Sequence, residues 1–179
     1  METLAALRER LPDAAKDIKL NLQSVLSSSV LTQSQRWGVA AAAALASRHP
    51  LLSRAVLVEA RREAGDAVVD DAVAAAALMA MNNVFYRFKH RIEKAVYQDK
   101  PARLRMNRLA KPRGSRSDLE LFSLAASAIN GCEICVRSHE QAVRAAGLSD
   151  DQVNDAVRIA ATIHAAAVAL ETAGLSTAA

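Results

Sequence analysis

The stretch from Leu119 to His139 reads LELFSLAASAINGCEICVRSH and indicates two helices joined by a tight turn. Apolar residues recur at helical spacing through its first half, and alanine is the best helix former among the amino acids. Asn130-Gly131 interrupts this pattern, because an Asn-Gly pair favours a turn. We therefore predict one helix over Ser117–Asn130 and a second over Glu133–Ala146.

The second helix opens with both cysteines of the chain, Cys132 and Cys135, and His139 follows the second sulfur by four residues. A helix N-terminus favours the thiolate, the reactive form of cysteine, because its unpaired N–H groups carry partial positive charge. Residues four apart share one helix face, so the imidazole is available as a base beside the Cys135 thiol. The pattern predicts a redox dithiol and locates the active site.

Three other roles for the two cysteines stay open at this point. A structural disulfide across so short a loop would add little stability to a chain of 179 residues. A zinc site would need a fourth ligand beyond Cys132, Cys135 and His139, and no other Cys/His cluster supplies one. Inert buried thiols are common among free cysteines. The redox dithiol is favoured for a Cys-x-x-Cys pair in a chain that is not secreted.

The composition extends the helical pattern to the whole chain. Hydrophobic residues make up 51% and aromatic residues only 3%, alanine is abundant, and strand-like alternation of Val, Ile and Thr is lacking. We predict an all-α fold, a compact bundle of about eight helices in a single domain over residues 1–179. Beside the two helices above, the predicted helices are Leu4–Arg10, Pro12–Leu26, Gln33–Ser47 behind a Thr32/Gln35 capping box, Leu51–Ala64, Asp70–Lys94, a short one near Leu104–Leu109, and one from Ser149 to Ala173.

The chain also resembles itself at a shift of 84 residues, which aligns Val69–Val73 with Val153–Val157. In both halves an alanine-rich helix, a turn, a helix ending at glycine and a long helix follow in the same order. We predict an internal duplication over about residues 30–95 and 115–175, in which only the second copy carries the dithiol. The same shift gives three pairs at the motif: Arg48 with Cys132, Leu51 with Cys135, and Ala55 with His139.

Positive charge is concentrated in one segment of the chain. From Arg87 to Arg116, eleven Lys/Arg stand against Glu93 and Asp99, a local charge of +9 in a chain whose net charge is +4. Pro and Gly mark about residues 96–116 as an irregular connector between the halves. This basic connector is either a surface for an acidic partner or a solvated link. Its single central aromatic residue, Tyr97, argues against nucleic-acid binding.

The N-terminal segment Met1–Lys19 is charged and amphipathic, which argues against a signal peptide. No uninterrupted apolar run reaches the ~18 residues that cross a membrane. We therefore expect a cytoplasmic protein without a membrane partner, in a compartment that keeps its dithiol reduced between reaction cycles.

The stretch Leu119–His139 closely resembles the signature of the carboxymuconolactone decarboxylase-like superfamily, in particular its alkyl hydroperoxidase D branch. Chain length, alanine-rich long helices, the basic connector and the duplicated plan are similar as well. Relatives often have a histidine directly before the second cysteine, whereas this chain has Ile134, so no proton transfer is expected there. The signature is a glutamate, Cys-x-x-Cys twelve residues later and then x-x-x-His, which this chain fills with Glu120, Cys132, Cys135 and His139.

This resemblance implies an all-helical homotrimer that reduces alkyl hydroperoxides and hydrogen peroxide, and we expect no bound cofactor or metal. It implies dihydrolipoamide-type dithiols as the reducing substrate, supplied by a lipoyl-bearing acyltransferase with lipoamide dehydrogenase. It also implies alkyl hydroperoxide reductase C as a partner. In the implied mechanism Cys135 attacks the peroxide, Cys132 resolves the sulfenic acid to a disulfide, and His139 with Glu120 relays the proton.

The sequence around Glu120 allows two roles for this residue. Ser117 and Glu120 have the spacing of a capping box, in which the glutamate folds back onto its own helix end. Along a straight helix Glu120 lies ~18 Å from Cys132. The next helix runs back antiparallel, so His139 lies about 10 Å back from Cys132 in the direction of Glu120. We expect Glu120 to reach His139, directly or through one water, and not the sulfur. We expect Cys132 at an exposed helix start, within reach of an incoming dithiol.

Two further functions compete with a lipoyl-linked peroxidase. A decarboxylase acting on a lactone has no use for two thiols, so the dithiol disfavours it. A non-enzymatic redox-sensing or interaction protein would use Arg87–Arg116 to bind its partner. A peroxidase needs a low-pKa thiolate, a second thiol within disulfide reach and a base, and residues 132–139 contain all three.

Overall fold

Alanine-rich segments form helices along the whole of residues 3–176, the part of the chain that the structure, a computed structural model, describes. These residues contain no strand, which confirms the predicted all-α fold. The nine α-helices within residues 3–176 are α1 Leu4–Glu9, α2 Lys16–Ser27, α3 Gln33–Ala46, α4 Pro50–Ala64, α5 Asp66–Ile92, α6 Ala95–Gln98, α7 Arg116–Ile129, α8 Glu133–Ala145 and α9 Asp150–Ser176.

Most helix starts follow local signals in the sequence. The predicted capping box begins α3: the Thr32 side chain accepts from the Gln35 N–H, and the Gln35 side chain accepts from the Thr32 N–H. Ser149 and Gln152 make the same reciprocal pair before α9. Gly65 has a φ of 85° and is shared between the end of α4 and the start of α5. The chain thus reverses without a loop, and α5 begins before the predicted Asp70.

The predictions were less accurate where helices are short. A 3-10 turn at Asp13–Ala15 precedes α2, which begins at Lys16 and not at Pro12. In the basic connector, the helix expected near Leu104–Leu109 is a 3-10 turn at Asn107–Ala110, and α6 was not predicted. Such short elements have little helical stability of their own, so tertiary contacts decide their position.

Helices α3 and α7 form the centre of the bundle. Residues Val39–Ala44 in α3 are completely buried. Helix α3 packs against α4, α5, α7 and α9, while α7 packs against α3, α5, α8 and α9. Where α3 and α7 meet, a Cβ added at Gly38 would lie 2.0 Å from the Phe122 ring. The small side chains of α3 therefore allow the close approach on which the centre of the core depends.

The basic connector is anchored to the start of α5 by the buried carboxylate of Asp71. This carboxylate accepts a hydrogen bond from the Arg108 guanidinium at 2.6 Å and others from the backbone N–H groups of Arg113 and Gly114. Arg113 also pairs with Asp70 at 2.7 Å. Part of the positive charge is thus used to fix the connector, which is more than a solvated link.

Two helices of the bundle, α5 and α9, are long and apolar enough to cross a membrane by length and composition. Each contains an 18-residue window with a mean hydropathy of 1.3, although polar residues interrupt its apolar runs. In these windows 44% and 50% of the residues are buried inside the bundle. Core helices of soluble proteins share this length and composition, so the two helices are weak evidence for a membrane span.

The two halves place their helices in the same order, but the spacing differs from the predicted one at the motif. The N-cap residues Thr32 and Ser115 lie 83 residues apart, and so do the N-caps of α4 and α8. At this spacing Leu51, 44% exposed, corresponds to Ile134, 42% exposed.

The predicted shift of 84 applies only to the starts of α5 and α9. The reason is that one more residue separates the starts of α8 and α9 than separates those of α4 and α5. The pairs at the motif are therefore His49 with Cys132, Leu52 with Cys135, and Val56 with His139. A common origin of the halves stays a prediction.

Candidate active site

The turn between α7 and α8 carries the dithiol. Gly131 has a φ of 65°, which allows the chain to reverse directly after Asn130. Cys132 is the N-cap residue of α8 and Cys135 lies in its first turn. The two sulfurs form a disulfide, with the Cα atoms 5.3 Å apart. The chain thus holds its two thiols within bonding distance of each other.

The prediction that Cys132 lies at an exposed helix start is wrong. Its exposed fraction is 0%, whereas Cys135 keeps 7%. The Cys132 N–H donates to the carbonyl oxygen of Ser127 at 3.2 Å, which holds the residue against the end of α7. Cys135 lines a surface pocket. A molecule that enters this pocket therefore lies beside Cys135 and not beside the fully buried Cys132.

The pocket lies between α5 and α8 and has a volume of about 340 Å³. Cys135 and His139 line it together, as their spacing on one helix face predicted. Ile134, at the position where relatives often have histidine, contributes an apolar side chain to the same wall. The other lining residues are Met79, Asn82 and Tyr86 of α5 and Ser138 of α8.

The Glu120 carboxylate contacts the imidazole of His139 directly. Oε2 of Glu120 lies 2.7 Å from Nδ1 of His139, so the predicted pairing is confirmed and needs no bridging water. A carboxylate can only accept a hydrogen bond, and the proton of the neutral ring therefore stays on Nδ1. Nε2 lies 3.2 Å from Sδ of Met79. Glu120 thereby fixes both the tautomer and the orientation of His139.

The alternative role of Glu120 as a capping residue is wrong. Ser115, not Ser117, is the N-cap of α7, and its side chain accepts a hydrogen bond from the Asp118 N–H at 3.4 Å. The hydroxyl of Ser117 lies 2.6 Å from that of Ser115. Because α7 begins at Arg116, Glu120 lies beyond the first turn and faces α8.

The same contact sets the charge of the carboxylate. The hydrogen bond from His139 holds the pKa of Glu120 below its usual value of 4.5, although burial acts in the opposite direction. Arg116 lowers the pKa of Glu120 further through its positive charge, and so does His139 when its ring is protonated. Glu120 is therefore ionised at neutral pH, and its negative charge stabilises the imidazole when the ring takes up a proton.

A chain of hydrogen bonds from α5 holds the turn before Cys132. The Asn83 amide donates to the Ser127 hydroxyl at 2.9 Å, and the Asn130 amide donates to Oδ1 of Asn83 at 2.9 Å. The Arg87 guanidinium donates to the carbonyl oxygen of Asn130 at 2.5 Å. Helix α5 thus fixes the end of α7 and the point at which α8 begins.

The chain is similar in sequence to known proteins. Residues 95–177 match the carboxymuconolactone decarboxylase family. A protein named alkyl hydroperoxide reductase AhpD from Anaeromyxobacter sp. (strain K) is 66% identical over 97% of this chain and 94% of its own length. The chain belongs to the AhpD family. A second AhpD, from Rhodospirillum centenum (strain ATCC 51521 / SW), is 48% identical over 94% of this chain and 91% of its own length.

Helix α5 supplies the part of this AhpD-family site that the sequence analysis missed. Met79, Asn82 and Tyr86 line the pocket, and Asn83 supports the turn. All four lie before residue 95, outside the segment that matches the family. One feature of the sequence could have identified this contribution of α5: the pair Asn82-Asn83 lies within an alanine- and methionine-rich helix. Buried amides require hydrogen-bond partners, so such a pair indicates polar contacts inside the bundle.

Proposed function

We propose that this protein is an antioxidant peroxidase that reduces alkyl hydroperoxides and hydrogen peroxide with Cys132 and Cys135, and that dihydrolipoamide-type dithiols re-reduce it. The observation that carries the proposal is one pocket that contains both the Cys135 sulfur and the imidazole that Glu120 orients. The AhpD relatives named alkyl hydroperoxide reductases support the reaction class.

In the peroxide half of the cycle, the Cys135 thiolate attacks the distal oxygen of the hydroperoxide. The S–O bond forms, the O–O bond breaks, and the alkoxide leaves with the electron pair and takes a proton from His139 to become an alcohol. Cys135 is oxidised to a sulfenic acid. The Cys132 thiol then attacks this sulfur, the disulfide forms, and hydroxide leaves and takes the thiol proton to become water.

His139 removes the proton of the Cys135 thiol and returns it to the leaving alkoxide. The ionised Glu120 stabilises the imidazolium between these two steps, as a carboxylate does for a catalytic histidine. Glu120 therefore acts through His139 and is a positioning residue.

The pocket walls support an organic substrate. Met79 and Ile134 offer apolar surface beside Cys135, and the ring of Tyr86 extends it. An alkyl group that enters this space loses contact with water and gains apolar contacts, whereas hydrogen peroxide has no such group to bury. We therefore expect alkyl hydroperoxides to be preferred over hydrogen peroxide through a lower KM.

In the reductive half, a carrier thiolate attacks Sγ of Cys135, because Cys132 is buried. The disulfide breaks, Cys132 leaves with the electron pair, and a mixed disulfide forms on Cys135. Cys132 lies at the N-terminus of α8, whose N–H groups stabilise the thiolate that leaves. The second carrier thiolate then attacks the carrier sulfur, closes the oxidised lipoyl ring and releases Cys135 as a thiolate. Burial of Cys132 is compatible with attack on Cys135, because the carrier does not need to reach the sulfur that leaves.

The basic connector is a candidate surface for the protein that carries the lipoyl group. Arg103 and Arg105 are exposed, whereas Arg108 is paired with Asp71. Exposed positive charge raises the association rate with an acidic carrier and is screened over ~8 Å at physiological salt. We propose a lipoyl-bearing acyltransferase, re-reduced by lipoamide dehydrogenase, as this carrier. Alkyl hydroperoxide reductase C is a second proposed partner, whose disulfide the reduced pair would reduce.

A homotrimer is also part of the proposal. Val84 and Phe88 on α5 are 60% and 46% exposed, and association of subunits would bury apolar surface of this kind. Sedimentation equilibrium measures the mass of the assembly. A mass of one subunit at micromolar concentration would contradict the trimer without touching the proposed chemistry.

The test of the reaction is hydroperoxide consumption coupled to NADH through lipoamide and lipoamide dehydrogenase. We expect turnover with tert-butyl hydroperoxide and hydrogen peroxide, and little turnover when glutathione replaces lipoamide. Absence of peroxide-dependent NADH oxidation, together with thiols that peroxide does not oxidise, would refute the peroxidase. Oxidised thiols without turnover would refute only the reductant.

The test of the carrier surface compares salt dependence with two reductants. Turnover with a protein-bound lipoyl group should fall as salt rises, whereas turnover with free lipoamide should hardly change. Arg103→Glu with Arg105→Glu should have the effect of high salt for the protein-bound group only. Lys16→Glu with Arg54→Glu makes the same charge change at exposed positions outside the connector and serves as the control. An equal effect of both pairs would exclude the connector as the carrier surface.

A further inference from the structure

Asn82 carries a buried hydrogen-bond acceptor that the fold leaves unused. Its exposed fraction is 5%, and Oδ1 has no hydrogen-bond partner among the residues that the structure describes. The neighbouring Asn83 differs, because its amide donates to Ser127 and its Oδ1 accepts from Asn130. An unpaired buried amide oxygen destabilises the free protein, so a partner of this atom is expected to come from outside the chain.

The position of Asn82 limits what this partner can be. Asn82 lines the same pocket as Cys135 and His139, on the α5 side of the space that the substrate enters. None of the side chains that line the pocket, including the O–H donors Tyr86 and Ser138, forms a hydrogen bond with Oδ1. The group that satisfies Oδ1 must therefore be a small donor that reaches the interior of the pocket beside the sulfur.

We propose that Asn82 binds the hydroperoxide group of the substrate and presents it to Cys135. The inference rests on the proposed peroxidase function and adds a substrate-binding residue to it. In R–O–O–H the distal oxygen carries the hydrogen, and it donates this hydrogen to Oδ1 of Asn82. The oxygen that the thiolate attacks is thus held by its own O–H group. The proton on the distal oxygen remains there in the Cys135 sulfenic acid, while the alkoxide takes its proton from His139.

This role belongs to one half of the cycle. The carrier dithiol attacks as a thiolate and has no O–H to donate, so the reductive half makes no use of Oδ1. Every hydroperoxide shares the O–O–H group, and hydrogen peroxide depends on Asn82 as much as an alkyl hydroperoxide does. If the shape of the pocket alone recognised the substrate, peroxides would instead be distinguished by the size of their alkyl group.

The experiment measures the two half-reactions separately in Asn82→Leu, which keeps the side-chain volume and removes the amide. Stopped-flow oxidation of the reduced protein by tert-butyl hydroperoxide and by hydrogen peroxide should slow by about tenfold or more for both, as expected for one lost hydrogen bond. Reduction of the disulfide form by dihydrolipoamide should keep its wild-type rate. Asn82→Ala is measured in parallel in case leucine disturbs the helix.

Melting temperatures supply the structural control. Asn83→Leu should lower the melting temperature because it removes satisfied hydrogen bonds, whereas Asn82→Leu should leave it unchanged or raise it. Wild-type oxidation rates in both Asn82 variants would overturn the inference. So would an equal loss in both half-reactions, or a loss confined to the larger peroxide. Failure of the wild-type thiols to react with any peroxide would refute the peroxidase itself, an outcome distinct from these.

Discussion

The α3–α4 hairpin and the α7–α8 hairpin have the same backbone plan but different tasks. Thr32 and Ser115 cap their first helices, and Arg48 and Gly131 make the turn with φ values of 60° and 65°. At the N-cap of the second helix the first hairpin has His49, whose ring nitrogen accepts from the Leu52 N–H at 3.3 Å. Cys132 at the equivalent position makes no side-chain cap.

The difference continues along the second helix. Leu52 and Val56 of the first hairpin are fully buried in the core. Their equivalents Cys135 and His139 line the pocket against α5. The equivalent of Glu120 is Trp37, which packs against the core. The two hairpins therefore share a capped first helix and a left-handed turn residue, and the second hairpin adds the dithiol at the N-terminus of its second helix.

The largest expected effect comes from removing the reactive sulfurs. Cys135→Ser should abolish peroxide reduction, because Cys135 is the one thiol among the residues that line the pocket, and the thioether of Met79 cannot form a thiolate. Cys132→Ser should stop catalytic turnover but still allow one attack, which leaves a sulfenic acid on Cys135. Mass spectrometry after trapping with dimedone locates the oxidation. Oxidation of Cys132 in the Cys135→Ser protein, with none in the reverse variant, would contradict the assignment.

A graft tests whether the dithiol alone confers the activity. In a protein without native cysteines, His49→Cys with Leu52→Cys places the pair at the equivalent turn of the first hairpin. We expect a disulfide to form, because the N-cap and first-turn positions correspond to those of Cys132 and Cys135. Peroxide consumption should stay at the level of the cysteine-free protein, since Val56 and Trp37 provide neither base nor carboxylate. Restored turnover would show that the pocket is dispensable.

Glu120→Gln sharpens the role of the carboxylate. Glutamine can still accept a hydrogen bond from His139, so the fold should persist, but the charge that stabilises the imidazolium is lost. We expect peroxide reduction to slow by roughly 10²- to 10⁴-fold at neutral pH. Glu133→Gln removes the same charge from an exposed site on α8, paired with Arg137 at 2.6 Å, and is the control. A similar loss in both variants would indicate a general charge effect.

Gly38→Ala tests the crossing point of the two hairpins. The added Cβ would meet the Phe122 ring at 2.0 Å, and this ring is buried and cannot move freely. We expect the free energy of unfolding to fall by ~1–3 kcal/mol, as for other overpacked cores. Denaturant unfolding measures the change, and adding Phe122→Leu should recover part of it. An unchanged midpoint in Gly38→Ala would contradict the close packing of α3 on α7.

The smallest expected effect is on stability in acid. The hydrogen bond from His139 lowers the pKa of Glu120 in the folded state, so its stabilising contribution is complete above the usual value of 4.5. It is lost as the pH falls below that value through the lowered pKa. The difference in unfolding free energy between wild type and Glu120→Gln should therefore shrink in this range, by about 1 kcal/mol or less. The pKa of Asp155 is also lowered. Because Asp155 is present in both proteins, its contribution to the difference in unfolding free energy cancels. A difference independent of pH would exclude a charged pair.

The position of the dithiol and its histidine could be predicted from sequence because their spacing is local. Four residues on one helix place Cys135 and His139 on one face, whatever the rest of the chain does. The pairing of Glu120 with His139 was also accessible, since two antiparallel helices joined by a short turn bring fixed positions together. The all-α fold followed from the abundance of alanine and the helical periodicity.

Burial of Cys132, the contribution of α5 and the anchoring of Arg108 by Asp71 depend on segments far apart in the chain. Periodicity identifies which face a residue lies on, but the element that covers this face is chosen by packing among all the helices. Sequence therefore predicted which groups would react and determined how they are spaced. Tertiary structure alone decided which sulfur is accessible and that Asn82 joins the pocket, because accessibility and the partners of buried amides are properties of the packed bundle.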